Sequence, residues 1–329
     1  MTKICVVYSH HKLGDLIWQL PYIKSISDFH QSPIFLVTRE KTQAKKILQD
    51  ENYIFSIFYN NFRKKIWYFY EIYLLYKFFK KKNFSHIYFL DKINRPAIAA
   101  WLANIKNRIG LGVKNQKKWL TNKFFLDEKD YLLNYSLQSK KFLEINGIAI
   151  SNFIPQINIK ASSLTHTAPN LKKYKNEICV SFGVDSFEEY KIWYEENFAK
   201  LSEMLLENKI ATFFYLICGP DKAHIAKKIM SLACHNKFLD CSDLDLLGVI
   251  KVLKDSAFFV GNNSGPLNLS SSLGIKTFGL ISGSSVDQLK FTNIIPIVPE
   301  NYIDQFVKDR REMKKITINR AYQIIIKNI

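Results

Sequence analysis

The stretch AFFVGNNSGPLN, residues 257–268, contains the pattern that decides the fold. Its apolar run AFFVGN (257–262) predicts a buried strand, NNSGP forms a loop, and a helix is expected over Leu267–Leu273. The same order of apolar strand, loop and helix recurs on both sides of this stretch. Because alternating strands and helices build βαβ units, we predict an α/β fold with parallel sheets covered on both faces.

The pattern divides the chain into two halves. Further strands are predicted at 4–8, 34–38, 53–58, 86–91, 177–183, 212–219 and 276–281, and the segment 108–112 is a short strand or a turn. Further helices are predicted at 15–26, 95–103, 131–145, 195–207, 222–233, 243–254 and 313–326. The segment from about Ser151 to Asn176 carries prolines, serines and threonines with little periodicity. We therefore predict two doubly wound domains, 1–160 and 177–329, joined by a linker at 161–176.

The composition is that of a globular protein. The chain has 329 residues, of which 47% are hydrophobic and 23% charged, so it is not a disordered chain. It contains no run of about 18 uncharged apolar residues, and the N-terminus lacks a signal-peptide pattern. We expect a cytoplasmic protein. The net charge of +18 favours an anionic partner: a membrane surface, a phosphorylated glycolipid or nucleic acid.

Several classes of site are excluded by missing patterns. The five cysteines include no C-x-x-C pair, and three lie in apolar runs, which predicts reduced core thiols rather than disulfides. No set of histidines and cysteines has metal-ligand spacing, so no metal site is expected. The dinucleotide pattern G-x-G-x-x-G and the P-loop pattern are both missing. A classical NAD enzyme and a P-loop NTPase are therefore excluded, and no cofactor is expected.

The loop SHHKLGD (9–15) follows the first predicted strand and precedes a helix. Because ligands of doubly wound folds bind at the carboxyl ends of the strands, this loop is a candidate binding segment. Gly14 permits close approach of the backbone, and Asp15 would lie at the helix start. The alternative is that Asp15 only caps the helix or stabilises its dipole. His10 and His11 either contact a substrate on this side or are ordinary loop residues.

Two loops of the second half are also candidates. In GNNSGPLN (261–268), Ser264, Gly265 and Pro266 form a turn whose backbone N–H groups would suit a phosphate. The alternative is a plain strand-to-helix turn. In SFGVDSFEEYKIWYEENF (181–198), Lys191 stands before Trp193 and a helix that begins near Glu195. Lys191 could neutralise a phosphate, and the alternative is a solvated surface lysine.

Taken in order, these segments resemble glycosyltransferase family 9, the heptosyltransferases of lipopolysaccharide assembly. The matching segments are LGDLIWQLP (13–21), VSFG (180–183), KIWYEENFAKL (191–201), FYLICGPDKAHIAKKI (214–229), LLGVIKVLKDSAFFVGNNSGPLNLSSSLG (246–274) and FGLISGSS (278–285). The resemblance covers nearly the whole chain. It implies a GT-B type fold, with two Rossmann-like doubly wound domains facing a central cleft. The first would bind the acceptor and the second the nucleotide-sugar donor.

The resemblance also implies roles for individual residues. The reaction would be an inverting, metal-independent displacement in which Asp15 is the base. Lys191 and the N–H groups around Ser264 and Gly265 would hold the donor diphosphate. Donor contacts are also implied for the loop residues that accompany them: Ser186, Asn263, Pro266 and Asn268. Gly14, His10 and His11 would lie on the acceptor side.

The sequence departs from the family pattern at three points. Asn263 replaces the acid before Ser-Gly, Asn268 replaces a histidine, and SGS (282–284) replaces G-P-T. Both asparagines are neutral but still form hydrogen bonds. We expect transfer of a sugar, in the first place heptose from ADP-heptose, to a lipopolysaccharide-core or related glycolipid. The alternatives are another nucleotide-sugar donor, or a non-catalytic homologue that binds nucleotide or glycolipid.

The segment FRKKIWYFYEIYLLYKFFKKKNF (62–84) places basic residues on both sides of an aromatic centre. One interpretation is a helix that packs within the domain and whose lysines reach the solvent. The other is an interfacial segment that docks on anionic lipid, which would place the protein at the inner face of the cytoplasmic membrane. No pattern of a nucleic-acid-binding module accompanies the charge, so nucleic acid is not an expected partner.

Overall fold

The computed structural model describes residues 2–10, 12–62, 67–164, 176–290 and 292–329. The chain forms two compact units, residues 1–159 and 160–329. His11 and most of the predicted linker 161–176 lie outside the described residues. Within the described part of the chain, no helix is long and apolar enough to cross a membrane. None of the five cysteines forms a disulfide there.

The N-terminal unit is built on a five-stranded parallel sheet. Its strands are β1 (Ile4–Val7), β2 (Ile34–Thr38), β3 (Ile54–Tyr59), β4 (His86–Phe89) and β5 (Asn107–Gly110). They are arranged in the order β3-β2-β1-β4-β5. The chain therefore runs outward from β1 in one direction and returns to β4 on its other side, which makes the β1–β4 pair the point where the strand order reverses.

The helices of this unit connect the strands. They are α1 (Leu13–Ile17), α2 (Leu20–His30), α3 (Ala44–Ile47), α4 (Tyr68–Lys82), α5 (Arg95–Leu102) and α6 (Tyr135–Ile145). Short 3-10 helices occupy Glu40–Thr42, Lys114–Trp119 and Glu128–Leu132. One face of the sheet packs against α4 and α5 through apolar side chains such as Val7, Ile87, Phe89, Leu75 and Phe79. Burial of these apolar side chains is the main favourable contribution to the stability of the unit.

The C-terminal unit contains a six-stranded parallel sheet. Its strands are β6 (Cys179–Gly183), β7 (Phe213–Ile217), β8 (Phe238–Asp240), β9 (Phe258–Asn262), β10 (Thr277–Leu280) and β11 (Ile294–Ile297). The strand order is β11-β10-β9-β6-β7-β8, so the reversal lies between β6 and β9. The helices are α7 (Glu195–Glu207), α8 (Ala223–Leu232), α9 (Leu246–Lys254), α10 (Gly265–Ser272), α11 (Arg311–Lys314) and α12 (Ile318–Asn328).

Three predicted helices are each divided in the structure. The one expected over 313–326 is α11 followed by α12, whose N-cap residue is Thr317. The one expected over 15–26 is α1 followed by α2, with Pro21 in the first turn of α2, where its missing N–H costs no hydrogen bond. The one expected over 131–145 is a 3-10 turn followed by α6, which begins after Asn134; the Asn134 side chain accepts a hydrogen bond from Leu137 N. Strands β8 and β11 are not predicted, because β8 has only three residues and β11 contains Pro296.

Candidate functional site

Asp91 joins the two strands at the reversal point of the N-terminal sheet. Its Oδ2 accepts a hydrogen bond of 2.7 Å from Ser9 N, after β1, and its Oδ1 accepts one of 3.0 Å from Ile93 N. The residue is 1% exposed, and this burial raises its pKa, while the hydrogen bonds act in the opposite direction. Sequence reasoning missed Asp91, although an acid at the end of the predicted strand HIYFLD was a signal for it.

Asp15 lies in the first turn of α1. The N-cap position is Lys12, so Asp15 does not cap the helix, although a first-turn acid still interacts favourably with the helix dipole. Two phenols lie within its electrostatic influence. Burial raises the pKa of Tyr8 and of Tyr135, and the negative charge of Asp15 raises both further. The Tyr8 hydroxyl is buried and has no hydrogen-bond partner among the described residues.

His10 lies between these two tyrosines. Its ring centroid is 5.1 Å from that of Tyr8, with the rings stacked, and 4.0 Å from that of Tyr135. Gln19 holds α6 nearby, because its Nε2 donates to Tyr135 O and its Oε1 accepts from Ser139 Oγ. The structure thus places His10 and Asp15 beside one aromatic cluster, formed by Tyr8 and Tyr135, near the C-terminal end of β1. Gly14 lies beside them in α1, whereas His11 is not described.

A second charged group follows β2. Arg39 donates hydrogen bonds to Ser9 O and Phe62 O, and Arg95 forms an ion pair with the buried Glu71. Three buried polar atoms at this edge lack hydrogen-bond partners among the residues that the structure describes: Thr38 Oγ1, Asn60 Nδ2 and Asn94 Oδ1. Because a buried polar atom without a partner is costly, such atoms are places where a bound molecule would add hydrogen bonds.

Ser186 and Asn263 join the two strands at the reversal point of the C-terminal sheet. Ser186 follows β6, is 4% exposed, and its Oγ donates to Asn263 O, after β9, over 3.2 Å. The same strands are drawn together by glycines. Gly183 and Gly261 are neighbours in register, and a Cβ at Gly183 would lie 2.3 Å from Cζ of Phe259. Only glycine leaves room there for the Phe259 ring.

Ser264 is the N-cap residue of α10, but its side chain does not cap the helix. Its Oγ is buried and lacks a partner within the described part of the chain. Asn268 is 8% exposed, and its Nδ2 donates to Ser264 O over 3.0 Å, which fixes the turn. Pro266 stands in the first turn, and the first-turn N–H groups of a helix have no partners within the helix. The turn therefore presents hydrogen-bond donors at the positive end of the α10 dipole.

Lys191 ends the 3-10 helix Glu189–Lys191. Its Nζ lies 2.6 Å from Oε2 of Glu188, and its side chain is only 16% exposed. The solvated surface lysine considered above is therefore not what the structure shows. Trp193 is fully buried, and its Nε1 donates to Ile316 O, so this tryptophan belongs to the core of the unit.

Asp185, which lies before Lys191 in the same loop, holds two strand ends together. Its Oδ2 accepts a hydrogen bond of 2.8 Å from Gly219 N, which connects the ends of β6 and β7, and burial raises its pKa.

The SGS segment follows β10. Gly283 has a φ of +62°, and a Cβ there would lie 2.5 Å from Val307 O. Tyr302, which sequence reasoning missed, donates to Ser284 O over 2.6 Å.

The structure thus forms two polar edges, one in each unit. In the C-terminal unit, contacts join Ser186 to Asn263 and Asn268 to Ser264. In the N-terminal unit, His10 and Asp15 share the tyrosine cluster. Among the described residues, no group of three or more histidine, cysteine, aspartate or glutamate side chains could hold a metal ion.

The comparison with protein families decides the identity. Residues 72–315 match the family model described as "Glycosyltransferase family 9 (heptosyltransferase)". This chain belongs to glycosyltransferase family 9. The predicted resemblance is therefore confirmed, and the family 9 chain is a glycosyltransferase. No curated protein matches the sequence significantly.

Solved structures show the same fold at low sequence identity. E. coli ADP-heptose lipopolysaccharide heptosyltransferase II is 14% identical, with a TM-score of 0.79, 99% of this chain covered and 98% of that chain. A family 9 glycosyltransferase from Veillonella parvula is 16% identical, with the same score and coverage. E. coli heptosyltransferase WaaC with ADP-2-deoxy-2-fluoro heptose is 14% identical, with a TM-score of 0.73 and full coverage of both chains. The predicted GT-B type fold of two parallel α/β domains is confirmed.

Proposed function

We propose that this chain transfers heptose from ADP-heptose to a lipopolysaccharide-core or related glycolipid by an inverting, metal-independent displacement. The family description names heptosyltransferases, and structures with the same fold carry ADP or an ADP-heptose analogue. The observation that carries the proposal is the Ser264 turn. A buried hydroxyl without a partner among the described residues stands there at the start of α10, next to Asn263 and Ser186. Such a turn suits the diphosphate of a nucleotide sugar.

The donor would bind at the C-terminal edge of β6 and β9. Ser264 Oγ and the first-turn N–H groups of α10, with Gly265 and Pro266 shaping the turn, would hold the diphosphate. Ser186, Asn263 and Asn268 would fix the loop around it. Lys191 would supply positive charge as the diphosphate departs. Its Nζ would then contact the phosphate and weaken its ion pair with Glu188. A lysine and a helix N-terminus together would take over the charge neutralisation that a divalent cation gives in other transferases.

The acceptor would bind to the N-terminal unit. Its hydroxyl oxygen would form the new bond to the anomeric carbon while the bond from that carbon to the diphosphate oxygen breaks. Asp15 would accept the hydroxyl proton, with Gly14 allowing close approach and His10 and His11 on the acceptor side. The nearby phenols of Tyr8 and Tyr135 remain protonated, because burial and the charge of Asp15 raise the pKa of each. They therefore serve as hydrogen-bond donors and not as competing bases.

The surface of α4 supports an anionic membrane as a further partner, at the inner face of the cytoplasmic membrane. The helix buries Ile72, Leu75 and Phe79 against the sheet. Its outer face exposes aromatic residues in the first half and lysines in the second: Phe69, Tyr70, Tyr73, Lys77, Lys80 and Lys81. The helix thus combines both predicted interpretations, since one face packs and the other has the chemistry of an interfacial helix. Residues 63–66 of the segment are not described.

A thermal-shift series with ADP-, UDP-, GDP- and CMP-sugars tests the donor. A ligand that binds only the folded state raises the melting temperature by mass action, so ADP-heptose should stabilise the protein selectively. Ser264→Ala, which removes the buried hydroxyl, should reduce this shift, whereas Ser231→Ala, at an exposed serine of α8, should retain it. Selective stabilisation by a UDP-, GDP- or CMP-sugar would favour the alternative that the enzyme uses a donor other than ADP-heptose. Binding without turnover on any acceptor would favour the non-catalytic homologue, to which the neutral Asn263 and Asn268 point.

A further inference from the structure

A cavity lies in the N-terminal unit, at the opposite end of the sheet from Asp15 and Asp91. Its volume is about 610 Å³, within the range of small-molecule sites. The floor is formed by the first halves of β4 and β5, where His86 pairs with Asn107 and Tyr88 with Ile109. About 16 Å of extended chain separates His86 from Asp91.

The walls come from three other segments. They are the C-terminal end of α2 with Phe29 and His30, the loop 121–124 with Phe124, and the end of α6 with residues 144–148. Alternate residues of a strand share a face, so the floor side chains of both strands point into this space, while Ile87 and Phe89 enter the core on the other face.

Hydrogen bonds fix the cavity walls in place. Asn122 spans the loop and β5, since its Oδ1 accepts from Gly110 N and its Nδ2 donates to Gly110 O. Asn146, at the end of α6, donates to Phe124 O over 3.3 Å and to Phe142 O over 2.9 Å. His30 Nε2 and the Tyr88 hydroxyl are 2.8 Å apart. The site is therefore preformed and does not depend on an accidental gap beside a loop.

The lining combines aromatic faces with neutral polar groups and one residue of each charge, Lys123 and Glu144. The rings of Phe29 and His30 are 5.0 Å apart, and those of His30 and His86 are 4.6 Å apart. Phe29 and Phe124 are both more than half exposed, at 55% and 59%. Burial lowers the pKa of His30 to about 4 and also lowers that of His86, so both rings are uncharged at neutral pH.

The polar groups retain hydrogen-bonding capacity toward the cavity. Within the described part of the chain, the side-chain amides of Asn107 and Asn146 donate to backbone carbonyls, which leaves their Oδ1 atoms to accept. His86 contacts Ser85 Oγ through Nδ1, which leaves Nε2. A ligand that carries several hydroxyl groups and one apolar C–H face matches this combination. A diphosphate does not, because among the described lining residues the positive charge is that of Lys123, and Glu144 adds a negative one.

We infer that this cavity is a second binding site of the chain, for a neutral saccharide. Sugar rings stack their C–H faces on aromatic side chains, here Phe29 and Phe124, while their hydroxyls bond to the amide oxygens and to imidazole. The site is separate from the edge where the donor is proposed to bind, and the inference does not rest on the proposed function. It would hold a sugar unit that does not react.

Ligand-observed saturation-transfer NMR tests the site with methyl α-D-glucopyranoside, methyl α-D-mannopyranoside and maltose as probes. Phe124→Ala removes an exposed stacking ring, and Ile109→Trp fills the floor. Each should weaken saccharide binding at least tenfold, with ADP binding unchanged. Phe69→Ala, which removes an 83%-exposed ring from α4, is the matched control and should bind saccharide as the unaltered protein does.

Three results would overturn the inference: no binding of any probe, equal binding by all variants, or displacement of the saccharide by ADP. The last would place the sugar at the donor edge. If the unaltered protein does not bind ADP, the proposed function is contradicted, but the saccharide site is not. If Ile109→Trp fails to fold, Phe124→Ala decides the matter alone, because its side chain is largely outside the core.

Discussion

Lys191 and Glu188 form an ion pair in which Nζ lies 2.6 Å from Oε2, one helical turn apart. The lysine thus already has an anionic partner, with which a donor diphosphate would compete. We expect Lys191→Ala to weaken donor binding about ten- to hundredfold, since a charge-assisted hydrogen bond contributes about 1.5–3 kcal/mol. Glu188→Gln should have the opposite effect and tighten binding, because it removes the competing negative charge. Calorimetry with the donor measures both, and equal affinities for the two variants would remove Lys191 from the donor site.

Asp15→Asn tests the proposed base. The substitution retains size and hydrogen bonding but cannot accept a proton, so turnover should fall by about 10²–10⁴ with donor affinity nearly unchanged. Asp28→Asn is the matched control, because Asp28 is an exposed acid that pairs with Lys24 on α2. Its turnover should remain normal. Near-normal turnover of Asp15→Asn would show that Asp15 is not the base and that it only interacts with the α1 dipole.

The exposed face of α4 predicts salt-sensitive binding to acidic lipid. Sedimentation with vesicles that contain phosphatidylglycerol should show binding that weakens as the salt concentration rises, because salt screens the attraction between the lysines and the anionic lipid. Changing Lys77, Lys80 and Lys81 to glutamine should reduce it. Lys82 is a poorer choice, since it is half-buried and lies over the Phe35 ring.

The control for this experiment removes the same charge from the other unit. Lys200, Lys209 and Lys227 are exposed, and their change to glutamine should leave vesicle binding intact. Equal losses in the two triple variants would show that net charge alone is responsible. Binding that does not respond to salt would leave α4 as a packing helix.

The Glu71–Arg95 pair should contribute strongly to the stability of the N-terminal unit. Their side chains are 3% and 14% exposed, and the pair joins α4 to α5. Glu71→Gln removes the negative charge that the largely buried guanidinium contacts and should lower the free energy of unfolding by about 3–5 kcal/mol, measured by urea denaturation. The double change Glu71→Met with Arg95→Met should cost much less, because it leaves no buried charge. A similar loss in both proteins would contradict this account.

His30 should make the protein less stable in mild acid. Burial, and then the charge of His86, lower the pKa of His30 from an ordinary 6.5 to about 4. Between these values the unfolded chain binds a proton that the folded chain does not, so stability is full above about pH 6.5 and falls as the pH drops toward 4. His30→Gln keeps a partner for the Tyr88 hydroxyl and should show a smaller fall in melting temperature between pH 7 and pH 5. The exposed His224→Gln should behave as the unaltered protein does.

Prediction from the sequence succeeded where the signal is local. Strand β6 has five buried residues in succession, as its mostly apolar sequence CVSFG predicts. Helix α7 has the predicted bounds Glu195–Glu207. The sequence could not predict β11, where Pro296 argues against a strand. An edge position accommodates the proline, because a strand paired on one side only does not need every N–H.

The candidate site shows the same division. The Ser264 turn and Asp15 were found because they follow predicted strands, and such loops collect at one edge of a parallel sheet. Asp91 was missed because its partner, Ser9, lies 82 positions earlier in the chain. The pairing of Lys191 with Glu188 was missed for another reason: two residues three positions apart meet only if the segment between them turns helically, and EEYK has no strong helical pattern.

The sequence by itself determined the alternation of strands and helices, the two-unit α/β class and the family, because apolar periodicity and ordered motifs are properties of neighbouring residues. Only the tertiary structure decided which side chains meet. It placed Asp91 against Ser9, left Ser264 Oγ buried without a partner among the described residues, and arranged His30, His86 and Phe124 around one cavity. The physical reason is that such contacts join residues far apart in the chain, and they form only when burial of the sheet faces sets the register of the strands.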